Sequence, residues 1–193
     1  MKTRTATLSR QTKETTIAIT LNLDGTGQAS IETGIGFFDH MLNSLARTSL
    51  FDLTLQANGD LHIDQHHTIE DTGIVLGRAF AQAVGERRGI RRFASAFVPM
   101  DEALTRVALD ISGRGFLAFD GSLPDNPALN FDVQMVEEFF RAFATNALLT
   151  LHIGILSGKN THHIIEAIFK AAGVALRQAV EIDPKIQGVL STK

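Results

Sequence analysis

The sequence predicts an α+β fold made from one small unit used twice, each copy a mostly antiparallel sheet covered by two helices. Three observations carry this expectation. His66-His67 followed by Glu70 returns as His162-His163 followed by Glu166, 96 positions later, and the same offset carries Gly77 onto Gly173 and Ala79 onto Ala175. "QAV" at 82–84 recurs at 178–180. An internal period of about half the chain marks a repeated structural unit. Within each copy, segments of strand period alternate with segments of helix period. Finally, 193 residues that are 44% hydrophobic suffice to bury a real core. The copies meet near "VGERRGIRR", so residues 1–90 and 91–193 read as two repeat units of one compact domain.

Taken in order, Ile17, Ile19, Leu21 and Leu23 alternate before "DGTG", with Ala29 and Ile31 after it, which reads as a hairpin. "FFDHMLNSLART" has helical spacing. "DLTLQANGDLHID" reads as a second hairpin, and a helix from about His66 to Gly85 closes the first unit. In the second, "LTRVALDISGRGFLAFDG" supplies strands, "VEEFFRAFATNAL" a helix, "TLHIGIL" a strand, and a last helix begins at His162. "LHI" at 61–63 aligns with "LHI" at 151–153, pairing His62 with His152. "GSLPDNPALN", residues 121–130, reads as a loop.

Composition narrows the chemistry. A net charge of −3 and a pI near 6.1 give no broad basic footprint for nucleic acid, although local basic spots can still hold a small anion. With no cysteine, any metal must be held by His and carboxylate, which favours Mn, Fe, Zn or Mg. The N-terminal segment lacks an apolar run behind its basic residues, and no later stretch reaches spanning length, so the chain reads as soluble and cytoplasmic, without a membrane partner.

The two doublets are the chemical signal. On a helix, His66 and Glu70 are i and i+4 and share a face, while His67 points about 100° away. His162, Glu166 and His163 repeat this arrangement. A doublet of this kind addresses two directions, and, given two metals, a pseudo-twofold pairing of copies would cross the ligands between them. A lone helical histidine is usually a satisfied surface or core residue, but four of the seven histidines sit in these doublets, and folding alone gives no reason for that placement. His40 precedes His66 by 26 positions and Glu138 precedes His162 by 24, which suggests one further ligand per copy.

"TGIGFFDHML", "DLHIDQHHTIEDTGIVLG", "MDEAL", "LDISGR", "VEEFFRAFATNALLTLHI", "GKNTHHIIEAIFKA", "ALRQAVEID" and "STK" together resemble the imidazoleglycerol-phosphate dehydratase family. The resemblance spans nearly the whole chain. It implies a lyase of histidine biosynthesis that converts imidazole glycerol phosphate to imidazole acetol phosphate and water with two Mn2+ ions. It implies one ligand set of His40, His67, His162 and Glu166, and another of His66, Glu70, position 138 and His163. At position 138 many family members carry His where this chain has Glu138; a carboxylate ligates Mn2+ as well as an imidazole does. Family substrate contacts carry over to Glu14, Arg92, Arg114, Lys170, Ser191 and Lys193, the basic ones being of the type that holds a phosphate dianion. The family also implies a 24-subunit assembly built from trimers, with sites between subunits.

Under this resemblance the metals would favour an imidazolate whose electrons expel the neighbouring hydroxyl. Glu14, His67, Glu70, His163 and Glu166 are the catalytic candidates, Glu14 as proton carrier. Two other readings fit a binuclear site, a metal-dependent phosphoesterase and a non-catalytic metal staple in an assembly. Product analysis separates them, since an esterase releases inorganic phosphate, a dehydratase retains it, and a staple turns nothing over.

Overall fold

The structure, a computed structural model, describes residues 3–191. Its first half contains β1 (Thr5–Gln11), β2 (Thr15–Asn22), β3 (Ala29–Glu32), α1 (Gly36–Ser49), β4 (Asp52–Gly59) and α2 (His66–Val84). The second contains β5 (Phe93–Met100), β6 (Ala103–Asp110), β7 (Phe116–Asp120), α3 (Met135–Ala147), β8 (Thr150–Ser157) and α4 (Thr161–Val180). Two four-stranded sheets result, in the orders β1-β2-β4-β3 and β5-β6-β8-β7. In each the first three neighbours pair antiparallel and the last pair is parallel. The identical wiring bears out a duplicated α+β unit.

Alternation decides which face of each strand is buried. Ile17, Ile19 and Leu21 of β2 point into the core, while Thr16, Ala18 and Thr20 between them are exposed. The helices cover the inner faces and pack across copies: α1 lies against α4, and α2 against α3. Phe38, Phe139, Phe140 and Phe169 meet at the centre, with the Phe139 and Phe169 rings 5.4 Å apart and nearly parallel. Gly77 and Gly173, the repeat-matched glycines, let these crossings close. A Cβ on Gly77 would lie 2.6 Å from the Phe143 carbonyl oxygen, and one on Gly173 2.7 Å from that of Leu45.

Three expectations are corrected. Strands β2 and β3 do not form a hairpin; β4 lies between them, and the hairpins are β1–β2 and β5–β6. Alternation marks a strand but not its partner, and the loop after β2 folds instead around Asp52, whose carboxylate accepts from Thr26 N (2.8 Å) and Gln28 N (3.0 Å). Nor is "DLTLQANGDLHID" a hairpin. Only β4 forms there, and Leu61, His62 and Ile63 lie in the turn leading to α2. The "LHI" of β8 therefore matches Leu53-Thr54-Leu55 of β4, so His62 and His152 are not equivalent, and the loop before the doublet is shorter in the second copy. The 121–130 segment is irregular apart from one 3-10 turn at Pro127–Leu129. No helix among the described residues is long and apolar enough to cross a membrane.

Candidate metal centre and anion pocket

Both doublets open a helix. Asn160 caps α4, its side-chain oxygen accepting from His162 N at 3.0 Å and from His163 N, and Asp64 Oδ1 accepts from His66 N at 2.8 Å ahead of α2. The paired rings stand nearly perpendicular, at 89° for His66 and His67 and 84° for His162 and His163. This is the division expected from the helical step.

On one side of that division lies a convergent trio. His40 Nε2 from α1 and His162 Nε2 from α4 lie 3.2 Å and 3.0 Å from Glu166 Oε2, and the three donor atoms sit within 4.8 Å of one another. Among the described residues this is the group able to hold a metal ion. Two imidazoles and a carboxylate fit a divalent cation such as Mn2+. Burial opposes ionisation of Glu166, but Lys170 Nζ at 2.8 Å, His162 and His40 outweigh it and bring the carboxyl down to about 2. The trio is thus poised with its carboxylate charged.

The matching end of the molecule, where α2 meets α3, holds His66, Glu70 and Glu138 in looser form. His66 Nδ1 lies 3.9 Å from Glu70 Oε2, and Glu138 occupies the first turn of α3 as His40 does that of α1. His67 and His163 turn elsewhere. His67 Nδ1 meets Asp60 Oδ2 at 3.0 Å and His163 Nδ1 meets Glu102 Oε2 at 2.8 Å. The hydrogen bond each ring donates to its carboxylate raises the histidine above its usual 6.5, and His163 together with the Lys159 and Asn160 amides lowers Glu102 to about 2. Within one chain, then, His67 does not join the His40–His162–Glu166 trio, nor His163 the other end.

The substrate-binding candidates also divide. Arg92, Arg114 and Ser191 line one cavity of about 480 Å3 with Arg87, Ser112 and Gly113, a size suited to a small ligand. Lys170 is not there but beside the metal trio. Arg92 is buried, at a positive φ of 70°, and forks onto Asp110 through Nε at 2.6 Å and Nη2 at 3.1 Å. That hydrogen bonding raises its already high basicity, so it brings a fixed cation to the cavity wall. Glu14 occupies the β1–β2 turn close enough to His67 for its charge to act on that ring. Lys193 lies outside the described residues.

Sequence reasoning missed Asp60, Glu102 and Arg87. Glu102 comes from a turn 61 positions from the histidine it serves, whereas Asp60 lies only seven before His67, in a segment read as a hairpin; for Arg87 the one signal was the basic run "ERRGIRR".

Comparison with known proteins identifies the family. A profile of the imidazoleglycerol-phosphate dehydratase family matches residues 33–176. The chain is 58% identical over 186 residues to the imidazoleglycerol-phosphate dehydratase of Acetivibrio thermocellus, covering 96% of this chain and 95% of that one. It is 59% identical over 191 residues to that of Gluconacetobacter diazotrophicus, covering 98% and 96%. The crystal structure of the Staphylococcus aureus enzyme superposes with a TM-score of 0.84 at 40% identity, over 93% of this chain and 99% of that one. The Pyrococcus furiosus enzyme gives 0.83 at 37%, over 96% and 98%. On these grounds the chain belongs to the imidazoleglycerol-phosphate dehydratase family, whose members are hydro-lyases.

Proposed function

We propose that this chain dehydrates imidazole glycerol phosphate to imidazole acetol phosphate in histidine biosynthesis, at a site that takes two manganese ions. The observation that carries it is the convergence of His40, His162 and Glu166 within 4.8 Å, in a chain of this family. Divalent cations bound there supply Lewis acidity toward the substrate's ring.

The protein's own groups do the rest. His40, His162 and Glu166 hold one ion and His66, Glu70 and Glu138 the other, with His67 and His163 completing the sets across subunits. Lys170 keeps Glu166 ionised. Arg92, Arg114 and Ser191, joined by Lys193, hold the phosphate dianion by charge-assisted hydrogen bonds. The C–O bond beside the ring breaks as the ring's electrons expel hydroxide, and Glu14 then takes the proton from the adjacent hydroxyl-bearing carbon, so that proton and hydroxide leave as water and the enol becomes the ketone. Ligand sets left incomplete within one chain support sites shared between subunits, and the family resemblance gives that sharing the form of a 24-subunit assembly built from trimers. The cytoplasm is the compartment this reading implies.

Metal analysis combined with product analysis tests the proposal. The expected result is two manganese ions per chain and a keto product that retains its phosphate. Release of inorganic phosphate overturns it in favour of a binuclear phosphoesterase.

A further inference from the structure

The two copies solve one packing problem with two chemistries. Where β1 and β2 cover the first turns of α2, the first copy buries polar groups. Asp71, 7% exposed, forms an ion pair with Arg10 and accepts a hydrogen bond from Thr15 Oγ1. Thr68 and Thr72 are fully buried on the same helix, and their hydroxyls meet no hydrogen-bond partner. The repeat places Val98, Ala103 and Ala167 where Arg10, Thr15 and Asp71 stand, and Ile164 and Ile168 where Thr68 and Thr72 stand. The second copy therefore shows that these five positions accept apolar side chains, although it buries one unpartnered hydroxyl of its own, Thr105 on β6. A buried ion pair rarely outperforms well-packed apolar side chains of similar volume, and orphaned hydroxyls cost stability. A polar set retained in one copy alone points to a task that only this copy performs.

That task lies at the β1–β2 turn. Thr12 Oγ1 accepts from Glu14 N at 3.1 Å and Thr15 N at 2.9 Å, and lies 3.3 Å from Thr15 Oγ1. A continuous chain of polar contacts thus runs from Asp71 through Thr15 and Thr12 to the backbone of Glu14. The equivalent carboxylate of the second copy, Glu102, is fixed differently. Its Oε1 accepts from Lys159 N and Asn160 N at 3.0 and 2.7 Å, and its Oε2 pairs with His163. Glu102 is immobilised by its own carboxylate. On the first copy Asp60 has taken the place beside His67, so the Glu14 carboxylate can stay available only if its turn is held from behind.

We propose that Asp71 is a positioning residue: gripped by Arg10 and Thr15, it anchors the β1–β2 turn from inside the protein and holds the Glu14 carboxylate at the metal-ligand end of α2. The proposal rests on the reading of Glu14 as proton carrier.

The test grafts the second copy's solution onto the first, with Arg10→Val, Thr15→Ala, Thr68→Ile, Asp71→Ala and Thr72→Ile made together in the full chain. The graft should keep the wild-type thermal midpoint and Mn2+ affinity, because the same packing already exists in the second copy. Amide hydrogen exchange at residues 12–15 should accelerate. The kcat should fall by about ten- to a hundredfold with KM unchanged, the usual effect of removing an outer support of a reacting group. Asp71→Asn, which retains an acceptor for Thr15 and loses the charge, should fall between graft and wild type. Wild-type exchange at 12–15 in the folded graft overturns the proposal. So does a graft with wild-type kcat while Glu14→Gln alone is inactive. If Glu14→Gln itself turns over normally, the proton-carrier reading fails, and exchange at 12–15 then decides the anchor by itself, faster exchange upholding it and unchanged exchange overturning it. Should the graft not fold, Asp71→Asn is judged by the same readouts.

Discussion

In the His67–Asp60 and His163–Glu102 pairs Nδ1 of the ring meets a carboxylate, and the charged ring must give up a proton before its other nitrogen can bind a metal. Both histidines have values raised above 6.5 by their carboxylate partners. A raised folded value means that each pair's contribution to stability is fully present below 6.5 and lost as pH rises through the raised value. Metal binding requires the neutral ring, so affinity for Mn2+ should rise across that same interval. The metal-free protein should therefore be less stable at about pH 8 than at about pH 6, and bind Mn2+ more tightly. Thermal unfolding and calorimetric titration at both pH values check this, with Asp60→Asn moving the affinity rise toward ordinary histidine behaviour. An affinity independent of pH would refute it. The ligand types were legible in the sequence because i, i+4 spacing fixes a shared face. Their partners were less so, since Glu102 lies 61 positions from His163 and the β6–β8 pairing, with Leu104 against Ser157, brings them together.

At the scale of elements, the helix crossings rest on glycine. Alanine at Gly77 would gain about 1 kcal/mol of helix propensity. Its Cβ, however, would stand 2.6 Å from the Phe143 carbonyl oxygen and 2.9 Å from Ala147 N, both backbone atoms that move only if α3 moves. Overpacking of this kind costs about 1–3 kcal/mol, so the clash outweighs the propensity. Gly77→Ala should lower stability in equilibrium denaturation, and Gly173→Ala likewise at the α1–α4 crossing; increased stability in either would show that the helices can separate freely. The helices themselves were legible because each carries an apolar stripe over three or more turns. The strand partners were not. Leu21 and Leu23 before "DGTG" look like one arm of a hairpin, yet the loop wraps Asp52 and gives the central place to β4. The period of a strand says which face is buried and nothing about its neighbour.

For the whole molecule, each end presents part of a ligand set. His40, His162 and Glu166 converge while His67 is tied to Asp60 on another helix. If the missing ligands come from neighbouring subunits, metal binding energy is also assembly energy. Chelation should then shift the particle to smaller species, and re-addition of Mn2+ should reverse the shift. Light scattering decides it, since an unchanged mass after complete demetallation would remove ligand sharing as the source of cohesion.

Because α1 packs on α4 and α2 on α3, each copy covers its own sheet with its own helices but leaves the outer faces of those helices to the other copy, and each metal-ligand end draws one helix from either half. The segment between Val84 and Phe93 is thus a tether between two interlocked partners. A half-length chain with this pattern would leave its aromatic stripe in water until it met a second such chain, so its folding would depend on concentration. Joining the halves makes that encounter intramolecular. It also frees them to diverge, and the divergence is visible where one half packs half-buried Arg10 on buried Asp71 while the other packs half-buried Val98 near buried Ala167 in their place.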